Sequence, residues 1–319
     1  MRILFMGTPD FAVPILETLS QKHQVLAVVT QPDRPKGRGH GVMFSPVKTC
    51  ALSLGLPVLQ PEQVREDSFI EAITALHADI YVVVAYGQFL PTRILQIPPL
   101  GCINIHASLL PRYRGAAPMQ HAILNGDTVT GVTIMYMAKG MDTGDMVLKM
   151  PISIEQSDRF ADVHDKMAAL SCECIIEALA QIKAGVAVRE PQNPEAVTYA
   201  PILRKEDGRI NWNHSTAHII NQMRALDPWP GTYTYHEGQV IKLWDYLPWE
   251  NKPDGTTLEL IGREPGEVLE AGSHLLVKTG DGALAITELQ GQGGKRMCTE
   301  DYLRGRPIAV GAILGGEEK

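Results

Sequence analysis

Residues 2 to 6 form a short apolar run that stops at Gly7-Thr8-Pro9-Asp10, after which Phe11, Ile15, Leu16 and Leu19 recur at helical spacing. This is the pattern of a strand, a turn and a helix. The next apolar run, Val25 to Val29, is valine-rich and too short for a helix, so it predicts a buried strand. Residues 31 to 46, QPDRPKGRGHGVMFSP, hold three prolines and three glycines and predict a long loop, because these residues interrupt both helices and central strands. A helix follows from Val47 to Leu54, stopped by Gly55. Val58-Leu59 reads as a short strand, Phe69 to Leu76 as a helix, and Ile80 to Ala85 as the strongest buried strand of the chain. Strands alternating with helices in this way predict a mainly parallel sheet of the α/β class.

Cys102 to His106 continues the sheet and runs into SLLPRYRGAAP, whose prolines and glycine impose irregular backbone. Residues 116 to 124 predict a helix and Gly131 to Met137 a strand; an irregular loop, Ala138 to Asp145, leads to a further strand from Met146 to Ile154. The long pattern from Phe160 to Ile182 predicts a covering helix that ends near Gly185. Beyond it the composition changes to proline and mixed charge, as in a linker. After a short helix around Thr216 to Leu226, five short strand candidates appear: 231–235, 240–244, 266–269, 275–278 and 284–289. Turn signals such as Gly280-Asp281-Gly282 separate them, the spacing of a small β-barrel of oligonucleotide-binding type. The expected organisation is therefore a first domain at 1–189, a linker at 190–210 and a β-barrel domain at 211–319.

The length of 319 residues agrees with two domains at roughly 150 residues each. Five cysteines, Cys50, Cys102, Cys172, Cys174 and Cys298, include no C-x-x-C pair. Neither a disulfide framework nor a thiolate zinc site is expected, and a reducing cytoplasmic setting is. No apolar run approaches the ~18 residues of a membrane span. His121, His164 and His218 lack a ligand partner one helical turn on, so no metal site is expected. The formal charge of −7 argues against a chain that coats nucleic acid through a broadly basic surface. The basic excess lies early: residues 1 to 50 carry 6 Lys+Arg against 3 Asp+Glu, whereas residues 190 to 319 carry 13 against 19.

Ligands of open parallel sheets collect beyond the carboxyl ends of the strands, which directs attention to the loops after Val84, His106 and Met137. Asn104 and His106 are two apart on one predicted strand and share a face. Asp142 lies in the loop after another strand. An amide, an imidazole and a carboxylate at one mouth suit acyl-type transfer, with the amide stabilising an oxyanion and the other two moving a proton. Spacing alone leaves a second reading open, in which His106 ends a strand and Asp142 serves an ordinary turn. Cys102, in an apolar strand, reads as core, and the absence of G-x-G-x-x-G near Gly7 argues against dinucleotide binding.

Six segments change those odds: FMGTPDFAVPIL at 5–16, TQPDRPKGRG at 30–39, VVAYGQFLP at 83–91, GCINIHASLLPRYRGAAP at 101–118, GVTIMYMAKGMDTGD at 131–145 and DPWPGTY at 227–233. Together they resemble the methionyl-tRNA formyltransferase family, across both expected domains. The resemblance implies a Rossmann-like first domain that takes 10-formyltetrahydrofolate as formyl donor. It implies donor contacts at Tyr86, Gly87, Gln88, Phe89 and Leu90, at Gly140, and at Ser108, Leu109, Leu110 and Pro111. It places a catalytic trio on Asn104, His106 and Asp142, with no metal. It also implies initiator methionyl-tRNA as partner, entered by the 31–46 loop through Arg34, Lys36 and Arg38, and a monomeric cytoplasmic enzyme. One departure is His40-Gly41-Val42 after Gly39, where the family carries further lysines. Relatives that formylate a small amine would not need the arginine-bearing loop together with this C-terminal domain, and a non-catalytic RNA-binding descendant would not need the intact trio.

Overall fold

The computed structural model describes residues 1–36, 41–249 and 260–316. In chain order the elements are β1 (Arg2–Gly7), α1 (Val13–Lys22), β2 (Gln24–Val29), β3 (Arg34–Lys36), β4 (Gly41–Met43), α2 (Pro46–Ser53), β5 (Val58–Leu59), α3 (Asp67–Ala75), β6 (Ile80–Val84), α4 (Thr92–Leu95), β7 (Cys102–His106), β8 (Arg114–Gly115), α5 (Pro118–Leu124), β9 (Val129–Tyr136), β10 (Met146–Ser153) and α6 (Phe160–Ala184). They continue with β11 (Tyr199–Ala200), α7 (Thr216–Ala225), β12 (Thr232–His236), β13 (Gln239–Pro248), β14 (Val268–Ala271), β15 (Leu275–Lys278), β16 (Ala283–Gly291), β17 (Met297–Cys298) and α8 (Thr299–Gly305). Two compact units result, one of Met1–Met119, Thr128–Glu155 and Asp162–Pro201, the other of Gln120–Asp127, Gln156–Ala161 and Ile202–Lys319.

The sheet of the first unit has the order β10-β9-β7-β6-β1-β2-β5. From β7 to β5 all pairings are parallel, whereas β9 and β10 run antiparallel. Ile3, Leu4, Phe5 and Met6 of β1 are all fully buried, although neighbours along a strand face opposite ways. Both faces of the sheet are therefore covered, which is why β1 and β6 read as unbroken apolar runs rather than alternating ones. On one face Leu4, Met6, Val29, Tyr81 and Val83 pack with Phe69, Ile70 and Ile73 of α3. The α6 helix buries Val163, Met167, Cys174, Ile175, Ala178 and Leu179, a stripe at helical spacing. Proline at the first helical position and Ser45 as N-cap, accepting from Lys48 N at 3.0 Å, start α2.

Two stretches differ from their sequence expectation. The loop at 31–46 contains a short antiparallel ladder, with Arg34, Pro35 and Lys36 opposite Met43, Val42 and Gly41. An isolated two-stranded ladder tolerates the proline and glycines that a central strand would not. The expected linker at 190–210 is divided between the units. Glu190 bridges Met146, and β11 pairs in parallel with β8, so the chain up to Pro201 folds with the first unit. Strands of two residues carry no periodic signal, which is why β8 and β11 are invisible in the hydrophobic pattern.

The second unit carries an antiparallel sheet in the order β12-β13-β16-β15-β14, with β17 on β16. Irregular registers around Leu243, Asp245 and Tyr246 interrupt the β13–β16 ladder, and such bulges bend a strand and raise its twist. The curled sheet wraps a core of Ile241, Leu243, Val277, Leu284 and Ile286 against Trp212 and against Ile219 and Met223 of α7. This is the small-barrel architecture expected from the strand spacing, with β13 and β16 longer than their apolar runs suggest and α8 added after the last strands.

No helix among the described residues is long and apolar enough to cross a membrane. All five thiols are free, with Cys298 exposed. Burial raises the Cys50 thiol to about 11 and those of Cys102 and Cys174 to about 12, which keeps them as unreactive thiols near neutral pH. An aromatic disulfide reagent is thus expected to titrate exposed Cys298 at once, half-buried Cys172 more slowly, and Cys50, Cys102 and Cys174 only after unfolding; a fast phase that survives the double change Cys172→Ser and Cys298→Ser would contradict this burial.

Candidate active site

Asn104 and His106 occupy one face of β7, as their spacing requires, with Asn104 half-buried and His106 buried. The His106 ring is held from one side by the Tyr113 carbonyl, 2.9 Å from Nε2. A carbonyl oxygen only accepts, so Nε2 carries a proton and donates. Nδ1 is left facing Asp142, whose Oδ2 lies 3.7 Å away. The same carboxylate oxygen accepts from the Gly115 N–H at 2.8 Å. No described residue hydrogen-bonds the Asn104 carboxamide.

Asp142 arrives by a route that strand order does not predict. Because β9 is antiparallel to β7, Met135 lies opposite Asn104 and Tyr136 opposite Ile103. The Met137 N–H donates to the Cys102 carbonyl at 2.8 Å, so the 138–145 loop leaves the sheet beside the amino end of β7. It folds back along the face that carries Asn104 and His106. Asp142 takes a left-handed backbone with φ 51, a conformation that Asp tolerates better than most residues. At Gly144 an added Cβ would stand 1.7 Å from the Tyr136 carbonyl oxygen, so only glycine lets the loop close this tightly. Gln192 ties down the other side of the loop, its Nε2 donating to the carbonyls of Asp142 and Gly144, each at 2.8 Å.

The other sequence-derived residues divide into those that build the site and those open to it. In the loop after β6, Tyr86 and Leu90 belong to the core. Burial drives the Tyr86 phenol well above its ordinary value, and its hydroxyl has no partner among the described residues. The Tyr86 carbonyl is held by Thr8 Oγ1 at 2.8 Å and Gln31 Nε2 at 3.1 Å. Gln88 accepts from the Val64 N–H at 3.1 Å and so anchors the loop. Gly87, in the left-handed region at φ 94, and the exposed Phe89 remain accessible. After β7, Ser108 is buried with Oγ on the Arg112 carbonyl at 2.6 Å. Thr133 Oγ1 links that turn by donating to the Ser108 carbonyl at 2.6 Å and accepting from the Leu110 N–H at 3.1 Å. Leu109 and Pro111 are half-buried and Gly140 is exposed. Tyr113, Gly115, Thr133 and Gln192 were not singled out in the sequence, since each acts through a backbone group or from a distant segment.

Arg34 of the β3–β4 ladder is exposed, Lys36 lies on β3, and Arg38 falls outside the described residues. The ladder's base is anchored. Asp33 pairs with Lys48 and accepts from Gln60 Nε2 at 2.9 Å, and Thr30 and Ser45 share a hydroxyl hydrogen bond of 2.7 Å. The hydrogen bonds from Lys48 and Gln60 hold the Asp33 carboxyl below its ordinary value. The contribution of this anchor is accordingly present at neutral pH and fades in acid as the carboxylate is protonated. In the second unit Lys242 and Arg296 lie over the Trp244 ring, at 5.5 and 5.4 Å from its centroid. Arg304 is engaged by Glu300 and Asp301 of its own helix. Among the described residues no group of three or more His, Cys, Asp or Glu could hold a metal ion.

Residues 1–179 match the family described as formyl transferase, and residues 202–307 the formyl transferase C-terminal domain. The methionyl-tRNA formyltransferase of Caldanaerobacter subterraneus is 48% identical over 317 residues, covering 98% of this chain and 100% of its own. That of Clostridioides difficile is 43% identical over 317 residues, covering 99% of this chain and 100% of its own. Among solved structures, HypX from Aquifex aeolicus in complex with tetrahydrofolic acid superposes with a TM-score of 0.64 at 21% identity, over 95% of this chain and 47% of that one. An N-formyltransferase from Helicobacter canadensis, bound to folinic acid and dTDP-3-aminofucose, gives 0.64 at 18% identity, over 92% of this chain and 99% of its own. At those identities the two structures speak for the fold.

The Gly144 contact carries a stability prediction. Gly144→Ala forces the loop off the Tyr136 carbonyl and is expected to cost about 1–3 kcal/mol, seen as a lower midpoint in denaturant unfolding. An unchanged midpoint would show that the loop closes without this approach.

Proposed function

The chain belongs to the methionyl-tRNA formyltransferase family, and we propose that it transfers the formyl group of 10-formyltetrahydrofolate to the α-amino group of methionine on initiator tRNA. The observation that carries this reading is the convergence of Asn104, His106 and Asp142 on one face of β7, with His106 Nδ1 and Asp142 Oδ2 3.7 Å apart. No residue of the trio departs from the family's pattern.

The acceptor must be a neutral amine. An α-amino group titrates near ~8, and an adjacent ester lowers that, so much of it is unprotonated at pH 7 without help from the enzyme. What remains for the chain is positioning, oxyanion stabilisation and proton movement. Attack of the amine on the formyl carbon turns the formyl oxygen into an oxyanion. Asn104 offers a carboxamide N–H that has no partner among the described residues, and the His106 imidazole adds a second polar group on the same face. Asp142 takes the proton released by the attacking nitrogen, directly or through water, and the leaving folate nitrogen receives one as the intermediate collapses. Because the Tyr113 carbonyl occupies Nε2, proton traffic at the imidazole runs through Nδ1, the atom that faces Asp142.

The residues present suit a folate donor at the loops after β6 and β7. Gly87 and Phe89 in one and Leu109 and Pro111 in the other supply backbone and apolar surface, while Tyr86, Gln88, Leu90, Ser108 and Leu110 brace the loops from behind. Gly140 lets the Asp142 loop turn tightly on itself, since an added Cβ would stand 2.6 Å from Thr143 Oγ1. For the tRNA, Arg34, Lys36 and Arg38 are the basic residues of a segment whose base is anchored by Asp33, and Lys242 beside Trp244 suits an unpaired base and its phosphate, with Arg296 on the same ring already paired to Glu288. Function as a monomer in the cytoplasm completes the proposal.

The test is formyl transfer from 10-formyltetrahydrofolate to methionine-charged initiator tRNA, run beside charged elongator tRNA and small amines. Strong preference for the initiator is the expected result, and transfer only to a small amine overturns the assignment. Arg38→Ala is expected to weaken the initiator preference while leaving folate binding intact. His106→Ala is expected to lower turnover on the order of 10²-fold, and a folded variant with normal turnover would remove His106 from the mechanism.

A further inference from the structure

Asp142 sits on a loop of mostly exposed residues that enters from the amino end of β7, yet its carboxylate must stay opposite His106. Two hydrogen-bond systems hold it. The carboxylate is met by the Gly115 N–H, and the main chain is held by Gln192 through the carbonyls of residues 142 and 144. The Gln192 carboxamide is fully used. Both of its hydrogens go to those carbonyls, and its oxygen accepts from Arg114 Nε at 3.0 Å and Nη2 at 2.7 Å. A forked, charge-assisted contact of this kind fixes the plane of the amide and therefore the direction of its two N–H groups.

The segment that bears Gln192 is itself tied at both ends to the strands around the site. Glu190 exchanges backbone hydrogen bonds of 2.8 and 2.9 Å with Met146, where β10 begins. Thr198 accepts from the Arg114 N–H at 2.9 Å through its carbonyl and from the Tyr113 N–H at 2.8 Å through its hydroxyl. At Gly115 an added Cβ would meet the Ala200 carbonyl oxygen at 2.5 Å, so this strand pair is as close as two backbones can come. Tyr113, whose carbonyl holds His106, and Gly115, whose N–H holds Asp142, thus lie just before and on the strand that the same segment braces.

We propose that Gln192, oriented by Arg114, is a positioning residue that sets the distance between Asp142 and His106. The proposal rests on the formyl-transfer reading for its kinetic consequence and on the hydrogen-bond geometry alone for its structural one. Gln192 touches no reacting atom. It acts through the loop backbone, and its loss frees Asp142 to follow an otherwise exposed loop.

The experiment compares Gln192→Ala and Gln192→Glu with the wild-type full chain. In Gln192→Ala, kcat is expected to fall about 10²-fold, the cost of a misplacement near 1 Å, with little change in KM for either substrate and a pH–rate profile that takes the form of Asp142→Asn. Gln192→Glu keeps and strengthens the pairing with Arg114 but has no N–H for the two carbonyls. It is expected to remain folded through the Arg114 contact and to lose as much kcat as the alanine variant, whereas a merely structural role exercised through Arg114 would leave it active. The second readout needs no substrate: the ¹⁵N resonance of His106 Nδ1 is expected to move in both Gln192 variants toward its position in Asp142→Asn. Wild-type rates together with an unmoved resonance in Gln192→Glu would overturn the proposal. If wild type fails to formylate methionyl-tRNA while the resonance moves as described, the functional reading falls and the positioning role stands.

Discussion

The antiparallel pairing of β9 with β7 governs the site. A further parallel strand would have delivered its following loop to the carboxyl edge of the sheet, where β6 and β7 deliver theirs. Reversal sends the 138–145 loop out at the opposite edge, beside Cys102. The carboxylate therefore has to cross the face of β7 to reach His106, and a chain that crosses a sheet face forms few ladder bonds of its own. Gly144 against Tyr136, the Gly115 N–H and the Gln192 carboxamide supply what the loop lacks.

Tyr113 commits Nε2 through its carbonyl, so only Nδ1 is free to exchange a proton, and Asp142 stands opposite it. That leaves one carboxylate oxygen and one imidazole nitrogen facing each other across 3.7 Å. Asn104 on the same face has no hydrogen-bond partner for its carboxamide among the described residues, so under the proposed reaction it is the donor left for developing negative charge. The division of labour follows from which polar groups the fold has already satisfied.

The same economy appears in the 31–46 segment. Its sequence carries Arg34, Lys36 and Arg38, while its base is held by the Asp33 contacts to Lys48 and Gln60 and by the Thr30–Ser45 hydroxyl pair. The side chains that anchor the segment, Thr30, Asp33, Ser45, Lys48 and Gln60, are thus distinct from Arg34, Lys36 and Arg38.

Periodicity and length alone located β1, β2, β6, β7 and α6, because burial on both sheet faces or along one helical stripe leaves a pattern within a single stretch of chain. The strand spacing of the second unit was legible for the same reason. Family-specific strings such as SLLPRYRGAAP and MDTGD pointed to Asn104, His106 and Asp142, and two-residue spacing put the first two on one face. Nothing local told that β9 runs antiparallel, because an apolar strand reads alike in either direction. Nor did anything local show that residues 190–200 brace the catalytic unit. Their polar and proline-containing composition is that of a linker, and the hydrogen bonds from Gln192 to carbonyls 48 and 50 residues away exist only once the sheet has brought those segments together. Sequence determined which residues can do the chemistry; tertiary structure decided which of their atoms are free to do it, since that depends on partners that no local pattern encodes.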